Sequence, residues 1–115
     1  MQRARRGRAA SMPLSQLVAA LHLVDVGERN RRHPRTFEVP TAEELDAVGV
    51  GDLVKLIWEV GATGLSERMW VRVTATVGSR FTGVLDNDPV ALEGLLHADQ
   101  VVKFTRNNIC QIWVD

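Results

Sequence analysis

The chain has 115 residues, 45% of them apolar and 24% charged, with a formal net charge of zero and one cysteine, Cys110. That length suits one domain with a single core. A lone cysteine excludes an intrachain disulfide and makes a reducing compartment the simpler assumption, while no apolar run approaches the roughly 18 residues of a membrane span.

The charge is unevenly placed. Residues 1–35 hold eight arginines against Asp25 and Glu28, a balance of +6, and residues 36–115 hold six Lys or Arg against twelve Asp or Glu, a balance of −6. A basic arm on an acidic body fits nucleic-acid or membrane contact, and it fits equally an arm that lies on its own acidic domain.

Residues 1–12 read as a basic disordered arm, rich in Arg and without apolar periodicity. Ser11 is a candidate helix cap, and Leu14, Leu17, Val18 and Leu21 recur at helical spacing, so residues 13–24 read as an amphipathic helix ended by Gly27. This Arg-rich, acid-poor start shares the pattern of an organelle presequence if the source is a eukaryote, and Met12 offers an alternative first residue. Ser15, Gln16 and His22 within the apolar stretch argue against a secretory signal. Residues 28–35 (ERNRRHPR) read as a polar linker, which closes a segment 13–35 ahead of a single α+β domain over 36–115.

In that domain Thr41 and Glu44 form a capping box for a short helix whose Leu45 and Val48 face inward. Three strands follow. In the first, about Asp52 to Val60, Val54, Leu56, Trp58 and Val60 share the core face, with Leu53, Lys55, Ile57 and Glu59 opposite. In the second, about Glu67 to Val77, Met69, Val71, Val73, Ala75 and Val77 point inward, with Trp70, Arg72, Thr74 and Thr76 outward. Gly78 and Ser79 turn the chain into a third strand, Arg80 to Leu85, which stops at Asp86-Asn87-Asp88-Pro89. Val90 to Leu96 reads as one turn of helix. Ala98-Asp99-Gln100-Val101 echoes Gly51-Asp52-Leu53-Val54 as a strand opening, and the Asp in each can bond nearby backbone. A turn at Arg106-Asn107-Asn108 precedes a closing strand, Ile109 to Val114. The predicted architecture is α+β: short helices on a strongly bent, mostly antiparallel sheet of about five strands, a small SH3-like or open barrel.

Few residues carry recognisable chemistry. His22, His33, His97 and Cys110 lack metal-ligand spacing, so no metal or other cofactor is expected. Asp86-Asn87-Asp88 is too short a ligand series for a calcium loop. Cys110 lies within a strand and reads as a buried, inert thiol. Neither a nucleophile elbow nor a phosphate loop is present, so no catalytic residue is assigned. An enzyme would need a pocket between the Asp86 turn and Glu67-Arg68, with a perturbed carboxylate inside.

The tryptophans carry more information. Trp58 belongs to the core. Trp70 shares an outer face with Arg72, and Trp113 shares one with Gln111. Two readings stay open for both: they contact a base, a peptide or a protein, or they are covered by the N-terminal helix, whose Leu14, Leu17 and Leu21 need a surface. The candidate binding surface is Trp70, Arg72, Asp86 and Asn87.

At HPRTFEVP, GDLVKLIWE, ERMWVRVT and FTGVLDNDP the chain resembles a family of small bacterial proteins of unknown function with GD-x-VKL-x-F/W-E, ERMWV and G-x-L-x-N-x-P blocks. The resemblance covers roughly His33 to Trp113. It departs at Ala98, where the family usually has Gly. That family also looks related to immunity proteins that neutralise toxins passed between bacteria. The resemblance implies a bacterial cytoplasmic protein and makes toxin neutralisation an alternative role; it carries no catalytic residues. The expected function is non-enzymatic binding of a protein partner by a monomer or homodimer. Nucleic-acid binding through the Arg arm and an unrecognised enzyme site are the alternatives.

Overall fold

The computed structural model describes residues 12–115. The basic arm read over residues 1–12 and the cap at Ser11 lie, but for Met12, outside the described residues.

The described chain forms three short helices and a six-stranded antiparallel sheet bent into a small open barrel. Helix α1 (Leu14–Ala20) leads directly into strand β1 (Leu21–Leu23), and helix α2 (Val26–Arg32) follows. Helix α3 (Ala42–Asp46) precedes β2 (Leu53–Val60), β3 (Ser66–Val77) and β4 (Arg80–Leu85). Then come β5 (Val101–Thr105), a 3-10 turn (Arg106–Asn108) and β6 (Ile109–Ile112).

Strand β2 is the hub. One edge pairs with β3, and the other is shared, with β6 on Val54–Leu56 and β1 on Trp58–Val60. Strands β3, β4 and β5 continue the sheet in order, and the 3-10 turn carries the chain back from β5 to β2. This order of strands almost closes the sheet on itself. The inner face holds the main core, including Val54, Leu56, Trp58, Val60, Met69 and Val71, all at most 4% exposed. Burying such side chains contributes roughly 1.5–3 kcal/mol each.

The N-terminal segment departs from its reading in three places. The predicted helix over 13–24 stops at Ala20, because the free edge of β2 offers backbone partners that Leu21–Leu23 take. Gly27 does not end a helix but lies within α2. The predicted polar linker is helical as far as Arg32: Asp25 caps it by accepting from the Glu28 N–H at 2.9 Å. Helix α2 and residues 37–39 cover part of the outer face of β2, where Val24, Val26 and Ile57 form a second core with Phe37, Val39 and Cys110 against it.

The other short elements follow local chemistry. Thr41 and Glu44 form the expected capping box, and Leu45 and Val48 pack on the main core. Residues 90–96 form turns, not the predicted helical turn; Leu92 and Leu96 are buried nonetheless.

Strand β3 changes face along its length. Val73 pairs with Gly83 and Ala75 with Thr82, so Thr74 bulges, and its Oγ1 donates to the Thr82 carbonyl at 3.1 Å. Beyond the bulge the alternation is inverted. Ala75 and Val77, expected in the core, are exposed on the outer face, Val77 at 78%.

Candidate functional site

Among the described residues no helix covers the part of the outer face that lies over β6, β2 and β3. Lys55 on β2 stands opposite both Trp70 and Gln111, and Leu53 stands opposite Arg72. The Trp113 N–H donates to the Leu53 carbonyl at 2.9 Å, which carries the β6 ladder one residue past its last paired position. Cross-strand neighbours share a face, so Trp70, Lys55, Arg72, Leu53 and Trp113 belong to one surface.

Trp70 and Trp113 meet edge to face, with centroids 5.4 Å apart and planes at 82°. This geometry aligns the positive edge of one ring with the negative face of the other. Lys55 Nζ stands 4.8 Å from the Trp70 centroid as a cation–π partner. Trp70 is half-buried among these neighbours, while Trp113 is 54% exposed and its Nε1–H donates to Asp115 Oδ1 at 2.9 Å.

The four residues singled out from the sequence are brought together here. Asn87 Oδ1 accepts from the Trp70 backbone N–H, and the Asp86 N–H donates to the Trp70 carbonyl at 2.9 Å. Arg72 donates to the Gly51 carbonyl at 3.0 Å and lies 3.9 Å from Asp86. Asn87 therefore spends its acceptor on closing the end of the β3–β4 pair, and Asp86 is occupied by Arg72. The surface left to a partner is the tryptophan pair with the aliphatic stem and charge of Lys55.

The N-terminal helix does not cover this surface. Leu17 of α1 and Leu21 and Leu23 of β1 pack on the main core, and Leu14 is 59% exposed. Trp113 falls outside the surface read from the sequence because its signal is the pairing of β6 with β2, which brings distant segments together, whereas Lys55 meets Trp70 through the register of the β2–β3 pair.

Arg68, whose guanidinium lies 5.9 Å from the Phe37 centroid, marks the border with the covered half of the face. There a polar groove of about 520 Å³ includes Arg35, Glu38, Arg68 and Gln111. Cys110 also lines it, and burial pushes its thiol above the ordinary value against the nearby charges of Arg68 and Lys55. A thiol so shifted is a poor nucleophile at neutral pH.

Between the Asp86 turn and Glu67, the place an enzyme pocket would occupy, the Glu67 carboxylate accepts from the Val90 and Leu92 N–H groups. It ties down the loop. Among the described residues no three His, Cys, Asp or Glu side chains are grouped to hold a metal ion, and no helix is long and apolar enough to cross a membrane. The chain matches no family model, no curated protein and no solved structure.

Proposed function

We propose that this chain is a non-enzymatic protein-binding module whose contact surface is the Trp70–Trp113 pair with Lys55. The observation that carries the reading is the half-exposed Trp113, held edge to face against Trp70 on an uncovered sheet face. Aromatic side chains dominate the energetics of protein interfaces. Two rings that already pack on each other lose little rotamer freedom when a partner arrives, which favours binding. A protein partner is favoured over nucleic acid because residues 36–115 carry −6, a field that repels a polyphosphate. The same field supports the narrower role implied by the family resemblance, neutralisation of a basic toxin in the bacterial cytoplasm.

The test uses the full chain as immobilised bait beside Trp113→Ala, with the retained protein then purified and titrated calorimetrically. Trp113 is exposed, so its truncation leaves the fold intact. A purified partner whose affinity falls by about 2 kcal/mol or more with Trp113→Ala supports the reading, that being the usual scale of an interface anchor. A partner bound equally by both baits removes the tryptophan face from the account. Retention only of nuclease-sensitive material replaces the reading with nucleic-acid binding.

A further inference from the structure

The bulge at Thr74 builds a second surface, independent of the tryptophan face. Because Ala75 pairs with Thr82 and Thr82 with Lys103, these three share the outer face, as do Val77, Arg80 and Thr105 in the next row. Together they line a concavity of about 580 Å³ at the far end of β3, β4 and β5. That volume lies in the range of small-molecule sites. Ala75 and Val77 form an apolar wall; Arg80 and Lys103 supply two cations. Arg80 stands opposite Thr105, so Lys103 is its diagonal neighbour two residues along β5. Such a spacing, about 7–8 Å between backbones, lets two long side chains converge on one group.

The electrostatics are distinctive for this chain. Residues 36–115 carry −6, yet the concavity is lined by two cations and no carboxylate. Among the described residues neither Arg80 nor Lys103 forms an ion pair. Beneath this face Phe81 and Phe104 stack at 5.3 Å with planes 15° apart, both nearly buried. They hold β4 and β5 in register, so the two cations are presented from a rigid floor.

We propose that this concavity binds a small phosphate monoester, with Arg80 and Lys103 on the phosphate and the apolar part of the ligand against Ala75 and Val77. Two cations match the dianionic charge of a phosphate monoester, and Arg in particular forms paired hydrogen bonds with phosphate oxygens. The site owes its apolar wall to the bulge: with regular alternation Ala75 and Val77 would face the core.

The experiment is an amide-resolved NMR titration of the full chain with 5′-AMP, beside adenosine, inorganic phosphate and succinate. The expected result is saturable shifts at Thr82, Lys103 and Thr105 with AMP, weaker binding of phosphate and succinate, and none of adenosine. Arg80→Ala and Lys103→Ala should each weaken AMP about tenfold, the scale of one charge-assisted hydrogen bond. Ala75→Glu, which keeps both cations but places a carboxylate on the wall, should abolish binding while the remaining spectrum stays native. Shifts confined to other residues, equal binding of adenosine or of inorganic phosphate, or an affinity unchanged in Lys103→Ala and Ala75→Glu would each overturn the proposal.

Discussion

Arg29 of α2 and Glu59 of β2 form a two-pronged ion pair, with Nη1 to Oε2 at 3.0 Å and Nη2 to Oε1 at 3.3 Å. It anchors the segment that the sequence presents as a polar linker onto the outer face of the sheet. The hydrogen bonds from Arg29 hold the Glu59 carboxyl below its ordinary value, against partial burial, and the charges of Arg29 and His22 add to the effect. A carboxyl depressed in the folded state contributes stability above its unfolded value, and that contribution is lost as pH falls through the folded value. The side chains are 39% and 28% exposed, so the pair is worth about 0.5–1 kcal/mol. Glu59→Gln should therefore lower the urea midpoint at pH 7. The difference from the native chain should shrink as pH falls from about 5 toward 3. A difference constant over that range would show that the contribution is not linked to the carboxylate charge.

Glu67 plays a different part. Both its oxygens accept from the Val90 N–H, at 3.1 and 2.9 Å, and Oε1 also accepts from the Leu92 N–H at 2.9 Å. The loop it holds has no strand ladder or helix of its own, yet Leu92 is fully buried. Glu67→Ala should cost about 1–3 kcal/mol, the scale for hydrogen bonds to a charged acceptor. Amide hydrogen exchange gives the sharper readout. Val90 and Leu92 should exchange much faster while Val54 and Val71 in the central strands keep their protection. Uniform acceleration across the sheet would mean that the loop is not a separate cooperative unit.

The legible parts of this fold are those written in neighbouring residues. The Thr41–Glu44 capping box spans four positions and was readable as such. So was the alternation of β2, because it pairs in regular register with β3. The bulge was not: it arises from where Thr82 and Gly83 of β4 fall against Val73 and Ala75, and single-strand alternation carries no register. Leu21–Leu23 continue the apolar spacing of α1, and only the open edge of β2 makes them a strand. The candidate surface divides in the same way. Trp70, Arg72, Asp86 and Asn87 meet because a hairpin folds symmetrically about its turn. Trp113 reaches Trp70 only because β6 pairs with β2, a contact between segments far apart in the chain.

Gly83 records how closely β3 and β4 pack at the bulge. A Cβ built there would lie 2.5 Å from the Arg72 carbonyl oxygen and 2.5 Å from Val71 Cγ1. Backbone cannot yield as a flexible side chain does, so the strands would have to separate. Gly83→Ala should cost about 2–3 kcal/mol, the upper part of the range for overpacking a core. Gly49→Ala is the control, since a Cβ there meets nothing within 4 Å; it should fall within about 0.5 kcal/mol of the native chain. Denaturant midpoints of the two variants decide the matter. Equal values would mean that the contact at Gly83 relaxes without separating the strands.

Asp99 takes the place that glycine holds at the matching turn. Gly51 has φ 95°, and Asp52 after it accepts from the Gly49 N–H at 2.9 Å through Oδ2. At the second strand opening the positive φ, 67°, falls on Asp99, and Gln100 after it accepts from the His97 N–H at 3.1 Å. The echo is thus shifted by one residue relative to the sequence, and Ala98 needs no glycine. The Asp99 N–H is also fixed, donating to the Leu85 carbonyl at 2.8 Å. Asp and Asn tolerate the left-handed region better than other residues with a Cβ, and most L-residues lose roughly 1–2 kcal/mol there. Asp99→Ala should therefore destabilise by about 1 kcal/mol, with Asp99→Asn and Asp99→Gly at or above it by that margin. Ala98→Gly should cost about 0.5 kcal/mol, because it frees the unfolded chain without relieving strain. Thermal unfolding of the four variants gives the order. If Ala98→Gly proved the most stable, the left-handed position would lie at residue 98 and the shifted echo would be wrong.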